Sequence, residues 1–300
     1  MAVNYTTPEA MGAAIREAAR NTPGNTGDAI RRFYYDRFLC RIFSDDTSPF
    51  VLKGGQMLLA RLSGARYTRD IDMVSSSLLP DEEVDLLIEL TSKDLGDFIS
   101  FDYVRREPIA DEEEYRSGYK VIFSARLGVR EVETISVDVV RDDIDFGKPD
   151  IVNPQDRITL PELKQVPYPS YPIEFAIADK VGATLQFYNG RRSSRIKDLF
   201  DLALICSELS FDAERLQARL MLEFKLRGID TPSEFDVPPN WLTTQASTYS
   251  KMAQRSTNTH VPKTVTEAKN LVARCLNPVL NKAILKGIWS PEQLMWKLID

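Results

Sequence analysis

Residues 50–55, FVLKGG, and residues 70–74, DIDMV, decide the fold of this chain. The first stretch is a short apolar run stopped by two glycines, and residues 56–62 after it favour a helix. In the second stretch polar and apolar residues alternate, which is typical of a strand with one buried face. Together they predict a strand, a glycine turn, a helix and a second strand.

Asp70 and Asp72 lie two residues apart on the predicted second strand. Their side chains therefore leave the same face, while Ile71 and Met73 point into the core. Two adjacent carboxylates repel each other unless a divalent cation neutralises them, and hard cations such as Mg²⁺ prefer oxygen ligands. The pair predicts a catalytic Mg²⁺ or Mn²⁺ site; the alternative is two solvated aspartates at the end of a surface strand.

Lys53, Gly54 and Gly55 favour the metal-site interpretation. Paired glycines between a strand and a helix let the backbone approach a phosphate closely, and the following helix N-terminus offers N–H groups to an anion. A lone Gly-Gly pair is a weak signal, but its combination with the two aspartates predicts nucleotide binding.

Three further strands are predicted at residues 101–105, 119–127 and 133–140. Asp138 shares the polar face of the last one with Ser136. As a third carboxylate it would act as a metal ligand or as the general base for an attacking hydroxyl. An ordinary strand aspartate fits the spacing equally well.

The predicted fold class is α+β, with a mixed sheet and helices in residues 1–152 and a helical lobe in residues 173–300. Residues 153–172 between them are rich in proline, which is typical of a linker. An amphipathic helix is predicted at residues 28–43 and another helix begins at Pro80. The helices predicted for the lobe cover residues 173–188, 196–209, 213–227, 241–254, 264–276 and 291–298.

The helical lobe carries further candidates for phosphate chemistry. Lys180 lies on an apolar helix face, so its amine either extends to solvent or contacts a phosphate. Asp198 and Asp201 lie near the start of the next helix, where the helix dipole alone favours acidic residues. The preceding residues 191–195, RRSSR, predict a flexible cationic loop suited to triphosphate or nucleic-acid backbone.

Arg61, Arg66 and Arg69 precede the predicted aspartate strand. They predict a basic region around the metal site. Such a region is compatible with an acidic protein as long as the positive charge is local.

Composition excludes several classes of protein. The formal net charge of −6 argues against a protein that coats nucleic acid non-specifically. The three cysteines form no CxxC pair, and the single histidine leaves little support for triads or multi-histidine zinc sites. There is no apolar run long enough to span a bilayer and no signal-peptide pattern at the N-terminus, so we expect a cytoplasmic protein without membrane association.

These motifs resemble the AbiEii/AbiGii group of nucleotidyltransferase toxins, which includes the MenT-type toxins of type IV toxin-antitoxin systems. The resemblance spans most of the chain and rests on residues 50–55, 66–72 (RYTRDID), 178–180 (ADK) and 195–202 (RIKDLFDL). The first two stretches are the general polymerase-β-like signature, and the last two are more particular to the group. The resemblance implies a polymerase-β-like sheet domain followed by a helical lobe.

The resemblance also implies roles for individual residues. Asp70 and Asp72 would hold Mg²⁺, and Lys53 with the glycine turn would face the nucleotide. Lys180 and Asp198 would complete the catalytic site from the second lobe. The implied activity is transfer of a nucleotide, often a pyrimidine, from an NTP to the 3′ end of tRNA, which blocks aminoacylation and translation.

The implied partner is an antitoxin encoded as a separate chain. In some relatives the antitoxin phosphorylates a serine two places before the first aspartate. Thr68 occupies that place here and keeps a hydroxyl, so it is a candidate regulatory phosphosite.

The leading hypothesis is that Mg²⁺ held by Asp70 and Asp72 positions an NTP for in-line attack by an RNA 3′ hydroxyl, with pyrophosphate leaving. Asp138 would be base or metal ligand, and Arg69 and Arg195 would contact the nucleotide. One rival is nucleotidylation of a protein or small-molecule hydroxyl. Another is a non-catalytic RNA- or partner-binding module, against which the intact set of candidate residues argues.

Overall fold

The computed structural model describes most of the chain, namely residues 5–75, 79–109, 117–141, 145–161 and 163–299. The chain divides into two compact units. The first comprises the described parts of Met1–Ser63 and Tyr67–Tyr171, and the second comprises Gly64–Arg66 and the described part of Pro172–Asp300.

The first unit combines helices with a sheet. Its helices are α1 (Pro8–Arg20), α2 (Thr26–Phe43), α3 (Gly54–Arg61) and α4 (Pro80–Thr91). Its strands are β1 (Val51–Lys53), β2 (Asp70–Ser75), β3 (Ile99–Pro108), β4 (Ser117–Leu127), β5 (Arg130–Arg141), β6 (Asp150–Val152) and β7 (Tyr168–Ser170).

The sheet is mixed, which confirms the predicted α+β class. Its strand order is β3-β4-β5-β2-β1-β7-β6. Strand β2 is parallel to β5 and β1 is parallel to β7, while the other neighbours are antiparallel. Strand β7 lies within the proline-rich residues 153–172 and pairs with β1.

Two helix starts in the first unit follow from capping residues. Helix α1 was not predicted, although Thr7 caps it by accepting a hydrogen bond from the amide of Ala10 at 3.2 Å and Pro8 occupies its first position. Helix α2 begins two residues before the predicted Asp28, because the Asn25 side chain accepts from the Asp28 amide at 3.0 Å.

The amphipathic character predicted for α2 is wrong, because every residue from 33 to 43 is buried. The charged residues among them find internal partners. Arg37 Nε lies 2.8 Å from Asp97 Oδ2, and Arg41 Nη2 lies 2.7 Å from Asp97 Oδ1. The sequence pattern predicted that this face of α2 contacts solvent, but its arginines pair with a buried carboxylate instead.

The second unit is mainly helical, as predicted. Its helices are α5 (Ile173–Leu185), α6 (Ile196–Glu208), α7 (Ala213–Leu226), α8 (Ala246–Arg255) and α9 (Val265–Leu280), with a short 3-10 helix at Pro239–Leu242. It also contains two small hairpins, whose strands are β8 (Phe187–Tyr188), β9 (Arg191–Arg192), β10 (Gly287–Ser290) and β11 (Met295–Leu298).

The β10–β11 hairpin replaces the helix predicted at residues 291–298. Trp289 and Trp296 are cross-strand partners, and their rings pack edge to face at 5.6 Å. Their indole N–H groups donate to the carbonyl oxygens of Cys206 and Cys275, both at 2.8 Å. Two large aromatic side chains that each need a buried acceptor therefore decide this segment in favour of strands.

Cys40, Cys206 and Cys275 are all buried and free. Among the helices of the described residues, none combines the length and the apolar character needed to cross a bilayer.

Glu83 on α4 makes the stability of the first unit depend on pH. Its side chain is buried, and burial raises its pKa to about 7 despite opposing contributions from Ser75 and Arg141. The folded protein therefore keeps this proton at pH values where the unfolded chain has lost it. The contribution of Glu83 to stability is greatest below about pH 4.5, its pKa in the unfolded chain, and falls as the pH rises towards 7.

We predict that Glu83→Gln removes this pH dependence, because the amide stays neutral throughout. Urea unfolding at pH 5.0 and pH 7.5 measures the difference for both proteins. The loss of unfolding free energy between the two pH values should be smaller in the variant by roughly 2 kcal/mol. Equal losses in the two proteins would contradict this account of Glu83.

Candidate active site

Strand β2 places Asp70 and Asp72 on one face of the sheet of the first unit. Ile71 and Met73 are fully buried, whereas the Asp70 side chain is 52% exposed and Asp72 is half-buried. The predicted alternation is therefore present, and it leaves the two carboxylates pointing away from the core.

Strand β5 adds Asp138 to this pair. In the parallel ladder between β2 and β5, Asp72 is the register partner of Asp138, and Asp70 is the partner of Ser136. The predicted third carboxylate thus lies beside Asp72 on the same face of the sheet. This juxtaposition depends on pairing between strands that are far apart in sequence.

Lys120 on β4 completes the cluster, and sequence reasoning missed it. It is the antiparallel register partner of Asp138. Its Nζ lies 2.8 Å from Asp138 Oδ1 and 3.9 Å from Asp70 Oδ1. Partial burial lowers the pKa of Lys120, but the attraction of Asp138, Asp70 and Asp72 outweighs it, and the pKa is raised overall.

The tight turn between β4 and β5 would not have revealed Lys120 from the sequence. Counting back from the pair Leu127 and Arg130 at the turn would set Lys120 opposite Val137. A β-bulge between Ala125 and Arg126 shifts the register by one residue and turns Lys120 towards Asp138 instead.

The glycine turn lies directly against the aspartates. Lys53, the last residue of β1, is the register partner of Asp72. A Cβ atom on Gly54 would lie 1.9 Å from Asp72 Oδ2, and Gly54 has a φ of +65°. A Cβ on Gly55 would lie 2.9 Å from the side chain of Thr68. The two glycines thus make room for the carboxylate and for the threonine.

The remaining predicted residues of the first unit lie nearby in the chain. Lys53 extends its amine to 5.9 Å from the centre of the Tyr171 ring. Thr68 is half-buried, and its carbonyl oxygen accepts from Gln56 Nε2 at 3.4 Å. Arg69 is exposed, while its carbonyl oxygen accepts from the Tyr35 hydroxyl at 2.8 Å.

The chemistry of this donor set fits a hard divalent cation, because all three candidate ligands are carboxylates. A positive group of the protein itself lies among these carboxylates, because the Lys120 amine is between Asp138 and Asp70. Within the described part of the chain, no three or more His, Cys, Asp or Glu side chains are arranged to hold a metal ion.

Lys180 is the centre of a buried ion cluster in the second unit. Its Nζ lies 2.7 Å from Asp201 Oδ2 and 3.3 Å from Asp198 Oδ1. Lys180 is only 8% exposed, so extension of its amine to solvent is excluded. Burial alone lowers the pKa of Lys180, but Asp201 and Asp198 outweigh it and raise the pKa above its usual value.

Two arginines neutralise the carboxylates from their other side. Arg66 binds Asp201 with two hydrogen bonds, Nε to Oδ1 at 2.9 Å and Nη2 to Oδ2 at 2.8 Å. Arg195 Nε lies 2.6 Å from Asp198 Oδ2. Burial raises the pKa of Asp198, but Lys180 and Arg195 outweigh it and hold the pKa below its usual value.

Only part of the predicted cationic surface is present. Arg66 pairs with Asp201, and Arg61 Nη2 lies 2.8 Å from Asp150 Oδ2. Of residues 191–195, Arg191 and Arg192 are not part of a loop, because they form β9, which pairs with β8 in a hairpin. Its turn is Asn189-Gly190, and both residues have positive φ angles as a tight hairpin turn requires.

The family described as "Nucleotidyl transferase AbiEii toxin, Type IV TA system" matches residues 37–268 of the chain. MenT4, a nucleotidyltransferase toxin from Mycobacterium tuberculosis H37Rv, has a similar structure, with a TM-score of 0.56 and 16% identity over 89% of this chain and 88% of that chain. JHP933 from Helicobacter pylori has a TM-score of 0.45 and 12% identity, covering 87% of this chain and 96% of that chain. No curated protein sequence matches this chain significantly. The likeness to MenT4 supports the fold alone.

We predict that Gly54→Ala destabilises the protein more than Gly96→Ala. Both glycines have positive φ angles, but a Cβ on Gly96 meets nothing within 4 Å, whereas one on Gly54 collides with Asp72. Both variants should lose about 1 kcal/mol for the backbone conformation, and Gly54→Ala a further 1–3 kcal/mol for the collision. Urea unfolding measures both losses, and equal values would show that the Asp72 contact is unimportant.

We predict that Asp201→Asn destabilises the protein by roughly 3 kcal/mol, because it leaves Lys180 and Arg66 with one carboxylate too few in a buried place. Asp230→Asn, on an exposed aspartate of the same unit, should change the unfolding free energy by less than about 0.5 kcal/mol. Thermal or urea unfolding provides the comparison. A loss for Asp201→Asn no larger than the control's would refute the role given to the ion cluster.

Proposed function

Because the chain belongs to the AbiEii family of type IV nucleotidyltransferase toxins, we propose that it transfers a nucleoside monophosphate from an NTP to the 3′ end of tRNA. The family implies an NTP substrate and an antitoxin partner. We further propose that the NTP is a pyrimidine nucleotide and that the transfer blocks aminoacylation and translation. The observation that supports this best is the register that sets Asp72 beside Asp138 on the exposed face of the sheet.

In the proposed reaction the tRNA 3′ hydroxyl oxygen attacks the α-phosphorus of the NTP. A new bond forms between that oxygen and the α-phosphorus, and the bond from the α-phosphorus to the bridging oxygen of the β-phosphate breaks. Pyrophosphate leaves with the electron pair. The hydroxyl proton passes to the carboxylate of Asp138 as general base or, where Asp138 serves as a metal ligand, to solvent.

Asp70, Asp72 and Asp138 are the residues that would hold Mg²⁺ or Mn²⁺, since their oxygens are the ligands such cations prefer. The bound cation would supply neutralisation of the charge on the phosphate oxygens. Gly54 keeps Asp72 in place by leaving its carboxylate the room that any larger residue would fill.

Further residues are proposed to bind the nucleotide or to assist the transfer. Lys53, Gly54 and Gly55 at the start of α3 would contact the phosphates, because amide groups at a helix N-terminus attract anions. Arg69 is exposed and available to the same phosphates.

In the second unit, Lys180 and Asp198 are proposed as catalytic residues and Arg195 as a nucleotide contact. The ion cluster supports this, because it keeps the Lys180 amine charged and fixed in position. A buried lysine without such partners would tend to lose its proton.

Thr68 is proposed as the site at which the antitoxin regulates the enzyme. Its side chain touches the place of a Cβ on Gly55, next to the glycine turn. A phosphate there would add about 1.5 to 2 negative charges close to Asp70 and Asp72 and repel the NTP.

A tRNA substrate also implies that the protein acts in the cytoplasm.

The proposal is tested by incubating the purified protein with bulk tRNA, Mg²⁺ and each labelled NTP in turn. We predict label on tRNA, strongest with a pyrimidine nucleotide, and a loss of at least about 100-fold in Asp72→Asn. Asp102→Asn is the matched control, because Asp102 is an exposed aspartate on β3 that pairs with Arg126. Its activity should equal that of the wild type.

The acceptor atom is tested with tRNA whose 3′ end has been oxidised with periodate, which removes the attacking hydroxyl and should abolish labelling. Label that appears on protein instead of RNA would replace this proposal with protein nucleotidylation. Absence of label with every NTP, together with absence of Mg-NTP binding, would favour a non-catalytic binding module.

A further inference from the structure

We propose that Lys120 is a built-in counter-ion that competes with the divalent cation for the carboxylate cluster. The free metal ion then binds weakly, and metal and nucleotide load together. This inference rests on the proposed function, since it takes Asp70, Asp72 and Asp138 as the metal ligands. It concerns the order and strength of binding, which the proposed function leaves open.

The position of the Lys120 amine carries the inference. It lies 2.8 Å from Asp138 Oδ1 and 3.9 Å from Asp70 Oδ1, so it bridges strands β5 and β2 across the face that would bind the metal. The register explains this position, because Lys120 is opposite Asp138 and Asp138 is opposite Asp72. One row of neighbouring strands thus brings an ammonium group to the proposed ligands.

Electrostatics makes the two cations competitors. Lys120 brings one positive charge against the three carboxylates, and their negative charge still attracts a divalent ion. An ion that takes Asp138 as a ligand must displace the ammonium from the same oxygen and approach a like charge at close range. Each of these costs lowers the affinity of the carboxylate cluster for a metal ion that arrives without a nucleotide.

The Lys120 amine can move away from Asp138 and remain in contact with solvent. Its side chain is 36% exposed, and its flexible four-carbon stem carries a strongly hydrated amine. On its other side the register partner is Glu107 of β3, whose carboxylate is 54% exposed and accepts from Arg105 Nε at 2.8 Å. Cross-strand neighbours of this kind are within reach of long side chains.

A bound NTP changes the balance in favour of the metal. Its triphosphate brings negative charge that attracts both the divalent ion and the displaced ammonium. The repulsion between Lys120 and the metal is then offset by attraction of both to the same polyanion. Metal binding and nucleotide binding are therefore expected to strengthen each other.

The test measures Mn²⁺ binding in the absence of nucleotide and RNA. The electron paramagnetic resonance signal of free Mn²⁺ reports how much of the ion stays unbound. Lys120→Met should bind Mn²⁺ about tenfold more tightly than the wild type, because the competing charge is gone. Lys120→Arg keeps the charge and should bind as weakly as the wild type. Arg126→Met is the matched control on the same strand, with a partner outside the cluster, and should also resemble the wild type.

Equal or weaker binding by Lys120→Met would overturn the inference, as would tighter binding by both Lys120→Met and Lys120→Arg. Absence of Mn²⁺ binding in every variant would overturn it too. Adding Asp72→Asn to Lys120→Met should abolish the tight binding, which assigns the ion to this cluster. Circular dichroism of each variant shows whether it is folded, and Lys120→Gln is the replacement if Lys120→Met is not.

A second measurement repeats the titration with a non-hydrolysable pyrimidine NTP analogue. The difference between wild type and Lys120→Met should shrink to about threefold or less, because the triphosphate then compensates Lys120. A difference that stays at tenfold would contradict joint loading. These readouts need no acceptor, so failure to label tRNA would refute the proposed function and leave the competition between Lys120 and metal standing.

Discussion

The parallel pairing of β2 with β5 sets Asp72 beside Asp138, so that two carboxylates that repel each other share one face of the sheet. Asp70 adds a third carboxylate to the same face. Two features of the protein allow these carboxylates to lie so close together. Lys120 supplies a positive charge between the carboxylates, and Gly54 leaves space where any side chain would strike Asp72. A site that concentrates negative charge in this way is prepared for a cation, and its own lysine sets how readily that cation enters.

The second unit handles charge differently, by burying it completely. Lys180, Asp198 and Asp201 are hidden from solvent, and Arg66 and Arg195 close the cluster at its edges. Because removal of one partner leaves an uncompensated charge in a medium of low dielectric constant, such clusters fix the position of each member. An amine held in this way keeps both its charge and its place, as a residue that acts on phosphates requires. Helix α2 of the first unit shows the same principle, with Asp97 neutralising two buried arginines.

Much of the fold could be predicted from local patterns. Alternation identified β2, the central part of β5 and the exposed side of both, and helical periodicity located most helices of the second unit to within a few residues. The errors have local physical causes. Two tryptophans with buried acceptors turned a predicted helix into the β10–β11 hairpin, and Asn189-Gly190 made a hairpin where the arginines suggested a loose loop. Helix α1 was not predicted, although Thr7 and Pro8 mark its start.

The sequence by itself determined which residue types stand together along the chain: the glycine pair, the two aspartates, Lys180 and the aspartates of α6. It also determined that Asp70 and Asp72 share a face, because a strand repeats every two residues. Only the tertiary structure decided that Lys120 faces Asp138 and that Arg66 binds Asp201. Lys120 depends on a one-residue bulge in β5, where Val132 has no partner on β4, and Arg66 depends on a contact between segments far apart in sequence. Neither is encoded in a local period, because register and long-range ion pairs are set by the energy of the whole packed unit.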